Sequence, residues 1–370
     1  MNEGPTILMT CGAAPGVVGH MDAARGNGYA PVRIVVGDVS EDENVGFALA
    51  DETVRIPPAT DPDLVDKLLD ICREHEVDVV WPVYDGELEP LAAARRRFES
   101  EGVRLLIADE GTVRLCLDKA AFYGRLADTG WVPICQVVRT GDELQAAAAA
   151  LGYPRRRVAV KPTRGTGGRG FHVIDAGAAS RARFLGERAE GTVCTLGAAV
   201  EALGHDDGRD VPGEILVMPF VEGAEYGCDV LAEDGEVVAA VTRRKLPPVR
   251  DGFHTRIIVD EAPKVVATVA NVVGAIEADG LLSVDLREDE AGRLKVLEIN
   301  PRAGAYLGMA CVRIDLFGLA LARLFEQPAE VAAFRRSSQS IVGVRYWADL
   351  VQVAGQPLPL SRPVRCEIDT

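Results

Sequence analysis

The first 112 residues alternate between short apolar runs and amphipathic stretches, and no other property of the chain limits its fold as much. TILMTCG, RIVVGD, DVVWPV and VRLLIA read as strands, while Asp63 to His75 and Glu87 to Phe98 read as helices. Repeats of this kind lay successive strands parallel in one sheet, with helices on its faces. After Asp118 the rhythm changes. Lys119 to Asp128 and the Ala-rich Gly141 to Leu151 read as helices, VAVKP as a strand, and YGCDVLAEDGEVVAAVTRR as a hairpin turning at EDGE. A helix over Pro263 to Ala278 precedes the strand-turn-strand segment LLSVDLREDEAGRLKVLEIN, and SIVGVRYW with LVQVAG read as a last strand pair. The expected fold is α/β and α+β: a doubly wound N-terminal domain, then a domain of paired strands and helices.

Composition narrows the class of function. The 370 residues suit two or three domains, and 48% hydrophobic content is enough to give each a core. With 40 Lys and Arg against 56 Asp and Glu, the net charge of −16 argues against nucleic acid or an anionic membrane as partner. No apolar run approaches the roughly 20 residues of a membrane helix. The eight cysteines contain no C-x-x-C pair, which fits reduced thiols in a cytoplasmic protein. The five histidines never fall at i, i+4, so no zincin-type metal site is expected.

Three segments carry chemistry. GAAPGVVG, after the first strand, places Gly12, Gly16 and Gly19 where a dinucleotide-binding loop has its glycines, but the spacing is irregular and Pro15 lacks an N–H. A tight structural turn and an NAD(P) site are both open there. VAVKPTRGTGGRGFHVI runs a strand ending in Lys161 into a glycine-rich turn, and residues 155–171 carry six positive charges and no acid. Glycines at 165, 167, 168 and 170 let backbone N–H groups approach a polyanion; an ordinary hairpin loop is the alternative. In LKVLEINPRAGAY, Glu298 and Asn300 alternate onto one strand face, and Asp285 in SVDL can join them. Such hard oxygens suit Mg²⁺, and Arg302 lies just beyond them as a fixed cation. Residues 279–298 hold six acids against three bases, so opposite charges are concentrated in two separate segments.

In order along the chain, Asp118 and Lys119, VKP at Lys161, GTGGRG, VEGAEYGCDVL and EINPR make the sequence resemble the ATP-grasp family. It is most similar to the halves of the carbamoyl phosphate synthase large subunit and to small amino-acid ligases such as the pyrrolysine-pathway lysine ligase. The resemblance implies a Rossmann-like pre-ATP-grasp domain over 1–115 and an ATP-grasp domain over 116–325, with lobes at about 116–215 and 216–325. A strand-containing extension over 326–370 follows. It implies ATP and Mg²⁺, with Mn²⁺ as a substitute, and assigns residues by position. Lys119, Lys161 and the loop with Gly165, Gly167 and Gly168 would meet the phosphates. The Pro219, Phe220 and Val221 hinge would meet adenine, and Glu225 the ribose. Asp285, Glu298 and Asn300 would hold the metal, and Arg302 would steady the phosphoryl group. Many relatives have a Glu near Met218, so the adenine amino contact would fall to backbone atoms.

The implied reaction is ATP-dependent joining of a small carboxylate, an amino acid, to an amine through an acyl phosphate. A bicarbonate-using carboxylase or carbamoyl-phosphate-type enzyme is the alternative on the same machinery, and an NAD(P)-binding protein is the alternative from a different class. For the second substrate, Asp85 and Glu87 lie at the carboxyl edge of the first sheet and could hold an ammonium; favourable helix-start acids are the other reading. RRKLPPVRDGFHTR reads as a Pro- and Gly-containing loop whose cations, Arg256 among them, could clamp a carboxylate. His254 in it is a candidate general base. A homodimer through the first domain is expected by family analogy.

Overall fold

The computed structural model describes residues 4–40, 44–165, 170–178, 193–204, 213–250 and 253–345, with short segments at 352–353 and 356–357, and among these residues there are three large sheets and one two-stranded ribbon. Of the loop glycines, Gly167 and Gly168 lie outside the described residues.

The first sheet is parallel, with strands β1 (Thr6–Thr10), β2 (Arg33–Asp38), β3 (Glu52–Arg55), β4 (Val79–Trp81) and β5 (Arg104–Leu105) in the order β3-β2-β1-β4-β5. It is doubly wound, as the alternation implies. β1 is buried along its whole length, and its side chains divide by pleat: Leu8 joins one core cluster, Ile7 and Met9 another. The expected Glu87 to Phe98 helix is broken into a 3₁₀ turn (Asp85–Glu87) and helices Leu88–Ala93 and Arg95–Ser100.

The second sheet orders β6 (Gln136–Val138), β7 (Val158–Pro162), β8 (His172–Ile174), β9 (Val193–Cys194) and β10 (Ile215–Pro219) as β6-β10-β7-β8-β9. The third orders β11 (Glu225–Glu233), β12 (Glu236–Arg250), β13 (Phe253–Val259), β14 (Gly280–Glu288), β15 (Leu294–Asn300) and β16 (Ile341–Val344) as β15-β14-β11-β12-β13-β16. Helix Pro263–Ala275 buries Val265, Val269, Val272 and Val273, a helical stripe, in the same core as Cys228, Val230, Val284 and Val296.

Two expectations are corrected here. The RRKLPPVRDGFHTR segment is not a loop: all its described residues lie in β12 and β13, with a register shift between Leu246 and Val249 around Pro247 and Pro248. Proline cannot donate to the ladder, so the strand shifts there and resumes pairing. The last strand pair also divides differently. β16 pairs with β13, and a separate two-stranded ribbon joins Gln352–Val353 to Gln356–Pro357.

The turn and helix after β1 (Val17–Arg25) meet the segment after β15, which includes helix Leu307–Ala310, backbone to backbone. A Cβ on Gly16, whose φ is +104°, would stand 2.7 Å from the Ala305 carbonyl oxygen, and one on Gly308 would overlap Gly19. These glycines are needed for close protein packing, which leaves no open cradle for an NAD(P) phosphate at Gly16 and Gly19. Replacing Gly308 by Ala should therefore lower the urea midpoint by the equivalent of about 1–3 kcal/mol. Gly124→Ala, in helix Lys119–Arg125 with nothing within 4 Å of its added methyl, should instead be neutral or stabilising by up to about 1 kcal/mol.

At the carboxyl edge of this sheet Glu87 is buried, and Thr10 Oγ1 donates to its Oε2 at 2.6 Å. Burial raises its carboxyl from 4.5 to about 7; the Thr10 hydrogen bond opposes this, and the charges of Asp38 and Asp85 add to it. The folded chain thus holds this proton more tightly than the unfolded chain. That stabilisation is complete below about pH 4.5 and lost as pH rises through about 7. Glu87→Gln should then be more stable than the parent at pH 8, by up to about 3 kcal/mol, with the difference shrinking toward pH 4.5 in urea titrations. A difference independent of pH would contradict it.

Candidate functional site

The floor of the site is the face of the third sheet on which Asp285 and Glu298 stand directly opposite each other on β14 and β15, with Ser283 opposite Asn300. Like charges so placed repel. Two ammonium groups offset this: Lys245 Nζ lies 2.8 Å from Asp285 Oδ1, and Lys119 Nζ lies 3.8 Å from Glu298 Oε1. Among the described residues no three His, Cys, Asp or Glu side chains cluster for a metal, so the donor set is two carboxylates and the Asn300 amide. That set fits Mg²⁺, which takes few protein oxygens and completes its shell with water and phosphate.

The facing lysines come from the second sheet and the helix before it. Asp118 caps helix Lys119–Arg125 by accepting from Ala121 N, so Lys119 begins the helix, and its own N–H donates to the Thr163 carbonyl. Its Nζ donates to Gly165 O at 2.6 Å, where the backbone turns with φ +139°. Lys161, at the end of β7, donates 2.7 Å to Leu297 O and lies over the Tyr123 ring at 4.9 Å. Burial lowers its ammonium to about 8, against the attraction of Glu298. Tyr123 was not anticipated, although its spacing of four from Lys119 puts both on one helix face.

At the other end of the floor Glu225 is ringed by two cations and an imidazole: Arg287 Nη2 at 2.6 Å, Lys245 Nζ at 3.0 Å and His254 Nε2 at 3.3 Å. Burial would raise its carboxyl, but the His254 hydrogen bond and the charges of Lys245 and Arg287 outweigh that and hold it well below the carboxylate range. His254 is committed here, its Nδ1 lying 3.1 Å from Leu246 O. In the hinge, Phe220 N donates to Arg157 O, Val221 O accepts from Arg287 at 3.0 Å, and the Phe220 ring lies between Arg157 (4.8 Å) and Arg287 (5.2 Å). Pro219 pairs with Val158, and Met218 is buried, 3.7 Å from the Tyr123 hydroxyl. Arg287 is a further residue the sequence reading left out, although its spacing of two from Asp285 puts both on one strand face.

Arg302 reaches across to the first sheet. Its Nε and Nη2 donate to the two Asp85 oxygens at 2.6 and 2.8 Å, and its Nη1 to Ala303 O at 2.8 Å. The two acids expected to share an ammonium are thus divided, Asp85 to Arg302 and Glu87 to Thr10. Arg256 is exposed and pairs with Leu246 and Val344, on the sheet face opposite the carboxylates, so the expected clamp does not include it. His20, on the helix that follows the glycine turn, is 2.9 Å from Gly304 O through Nε2 and is buried and kept neutral, its pKa lowered to about 4 mainly by that burial.

Comparison with known proteins bears on this arrangement. Residues 212–347 match the family described as ATP-grasp in the biosynthetic pathway with Ter operon, and residues 10–106 match the PylC-like N-terminal domain. The vancomycin B-type resistance protein VanB of Enterococcus faecalis (strain ATCC 700802 / V583) is 28% identical over 277 residues, which cover 68% of this chain and 73% of that protein. Among solved structures, the ADP complex of N5-carboxyaminoimidazole ribonucleotide synthetase aligns at TM-score 0.63 and 17% identity, covering 92% of this chain and 81% of that one. The L-amino acid ligase from Bacillus licheniformis aligns at 0.59 and 18%, covering 90% and 77%. Biotin carboxylase from Campylobacter jejuni aligns at 0.62 and 16%, covering 92% and 73%. An ATP-grasp domain thus lies behind a PylC-like N-terminal domain, and the chain is an ATP- and Mg²⁺-dependent ligase.

Proposed function

We propose that this enzyme activates a small carboxylate, an amino acid, as an acyl phosphate and joins it to an amine, forming a C–N bond and releasing ADP and phosphate. The observation that carries the reading is the approach of Lys119 and Lys161 to the β15 strand, at 3.8 Å from Glu298 and 2.7 Å from Leu297 O, opposite a pair of metal-suited carboxylates. A carboxylate is a poor electrophile until one oxygen becomes a phosphate leaving group. No nucleophilic side chain is required, so positioning and charge neutralisation supply the rate.

In this reading Lys119, Lys161 and the backbone at Gly165 hold the phosphates, while Asp285, Glu298 and Asn300 hold Mg²⁺. The ion, when bound, neutralises charge developing between the β- and γ-phosphates. Arg302 is the fixed cation beside the transferred group, and the Asp85 fork sets the plane of its guanidinium. Glu225 takes the ribose hydroxyls, and His254 serves Glu225 rather than the amine. The division at about 115 and 325 belongs to the same proposal. The L-amino acid ligase neighbour favours an amino-acid carboxylate. The biotin carboxylase neighbour keeps a bicarbonate-using carboxylase as the second reading.

With Mg-ATP and panels of amino acids and amines, ADP formation should require both partners and persist without bicarbonate. It should fall by about 10²-fold or more in Lys161→Ala and in Glu298→Ala. ADP formation that needs no carboxylate, or that survives both substitutions, would sink the reading. Asp85→Asn should lower kcat by about tenfold to 100-fold with little change in the KM for ATP, because it frees Arg302 without touching the nucleotide.

A further inference from the structure

The segment that follows β4 carries an acid at every second position from Asp85 to Glu89, and each acid is committed to a different part of the molecule. Asp85 forks onto Arg302, beyond the end of β15, and Glu87 accepts from Thr10 within the first sheet. Glu89, in helix Leu88–Ala93, has no role in the reading above. Its carboxylate faces Arg164, whose Nη1 lies 3.1 and 3.3 Å from the two Glu89 oxygens, across a sequence separation of 75. Arg164 stands in the short stretch that leaves β7 toward the glycines, and its neighbours there are pinned through the backbone. Thr163 N donates to Glu214 O at 3.0 Å, Thr163 O accepts from Lys119 N at 2.9 Å, and Gly165 O accepts from Lys119 Nζ at 2.6 Å. Those bonds tie residues 163–165 to the edge of the second sheet and to helix Lys119–Arg125. Glu89 ties the same stretch to the first sheet.

We propose that Glu89 is a positioning residue for the ATP phosphates, acting through Arg164; this rests on the roles given above to Lys119 and the Gly165 backbone. One short segment thereby sets two things at once, Asp85 the plane of the Arg302 guanidinium and Glu89 the place of the backbone that meets the phosphates. Arg164 has a second acid in Asp118, 3.5 Å from its Nη2 and at the start of the neighbouring helix. Loss of the Glu89 charge therefore leaves Arg164 paired and its own turn intact, and removes only the tie to the first sheet. Both partners of that tie are partly exposed, so it is weak and screened by salt. It acts on how well the Gly165 backbone is placed before nucleotide arrives, and not on whether the chain folds.

Such a tie has a signature that a purely structural contact lacks: it acts on the phosphates and not on the nucleoside, and it fades with salt. Calorimetry on the full chain would measure the affinity for Mg-ATP and for adenosine, with urea titration as the control for stability. In Glu89→Gln, Mg-ATP should bind about two- to fivefold more weakly at low salt, while adenosine affinity and the urea midpoint are unchanged. The parent-to-variant ratio for Mg-ATP should shrink toward one by about 1 M salt, where the Debye length is about 3 Å. In an Arg164→Gln background, Glu89→Gln should have no further effect. Equal weakening for ATP and adenosine, a ratio indifferent to salt, or full additivity with Arg164→Gln would overturn the proposal. So would tighter ATP binding by Glu89→Gln, the sign of an acid that withholds Arg164 from the phosphates. A parent protein that bound no ATP would count against the proposed function itself, whereas ATP binding that is indifferent to Glu89 counts only against this inference.

Discussion

Two carboxylates directly opposite each other on neighbouring strands repel, and much of this molecule is arranged around offsetting that repulsion. Asp285 and Glu298 are held in register by β14 and β15, and their charge is met from two directions by Lys245 on the same sheet and Lys119 from the facing lobe. Lys119 can stand there because Asp118 caps its helix and Thr163 takes its backbone N–H, fixing the helix start against the end of β7. The second and third sheets are thereby drawn together by charge at the place where a metal-bound polyanion would pass between them.

The first sheet takes part through one arginine and a set of glycines. Asp85 fixes Arg302, the His20 ring meets Gly304 O, and the Gly16–Ala305 and Gly19–Gly308 contacts seat the turn between them. A guanidinium free to rotate would cost entropy each time it was placed beside a phosphoryl group; one already forked onto a buried carboxylate does not. In the proposed reaction the N-terminal sheet would contribute by orienting Arg302 through Asp85, apart from any contact it makes with substrate.

Four strands of the parallel sheet were readable because they are continuous apolar runs, the pattern burial on both faces demands; the edge strand β3, ETVR, with alternate residues exposed, carries no such signal. The carboxylate pair was readable because alternation along LKVLEIN and SVDL fixes which residues share a face. What escaped the sequence depends on partners distant along the chain. Asp85 and Glu87 are two apart, but one is claimed by Arg302, 217 residues away, and the other by Thr10. Nothing local distinguishes them. Pro247 and Pro248 are loop signals in the sequence, whereas β12 absorbs them as a register shift and pairs on with β13. The glycines after β1 suggested a phosphate cradle, but the same lack of side chains serves a protein backbone equally well.

The proposed reaction depends on phosphoryl transfer to a carboxylate. The most direct test is to supply candidate amino acids labelled with oxygen-18 in the carboxyl group, together with Mg-ATP and an amine, and to weigh the released phosphate by mass spectrometry. If an acyl phosphate forms, each released phosphate carries one oxygen from the carboxylate. Unlabelled phosphate released during product formation would show that no acyl phosphate had formed and would contradict it.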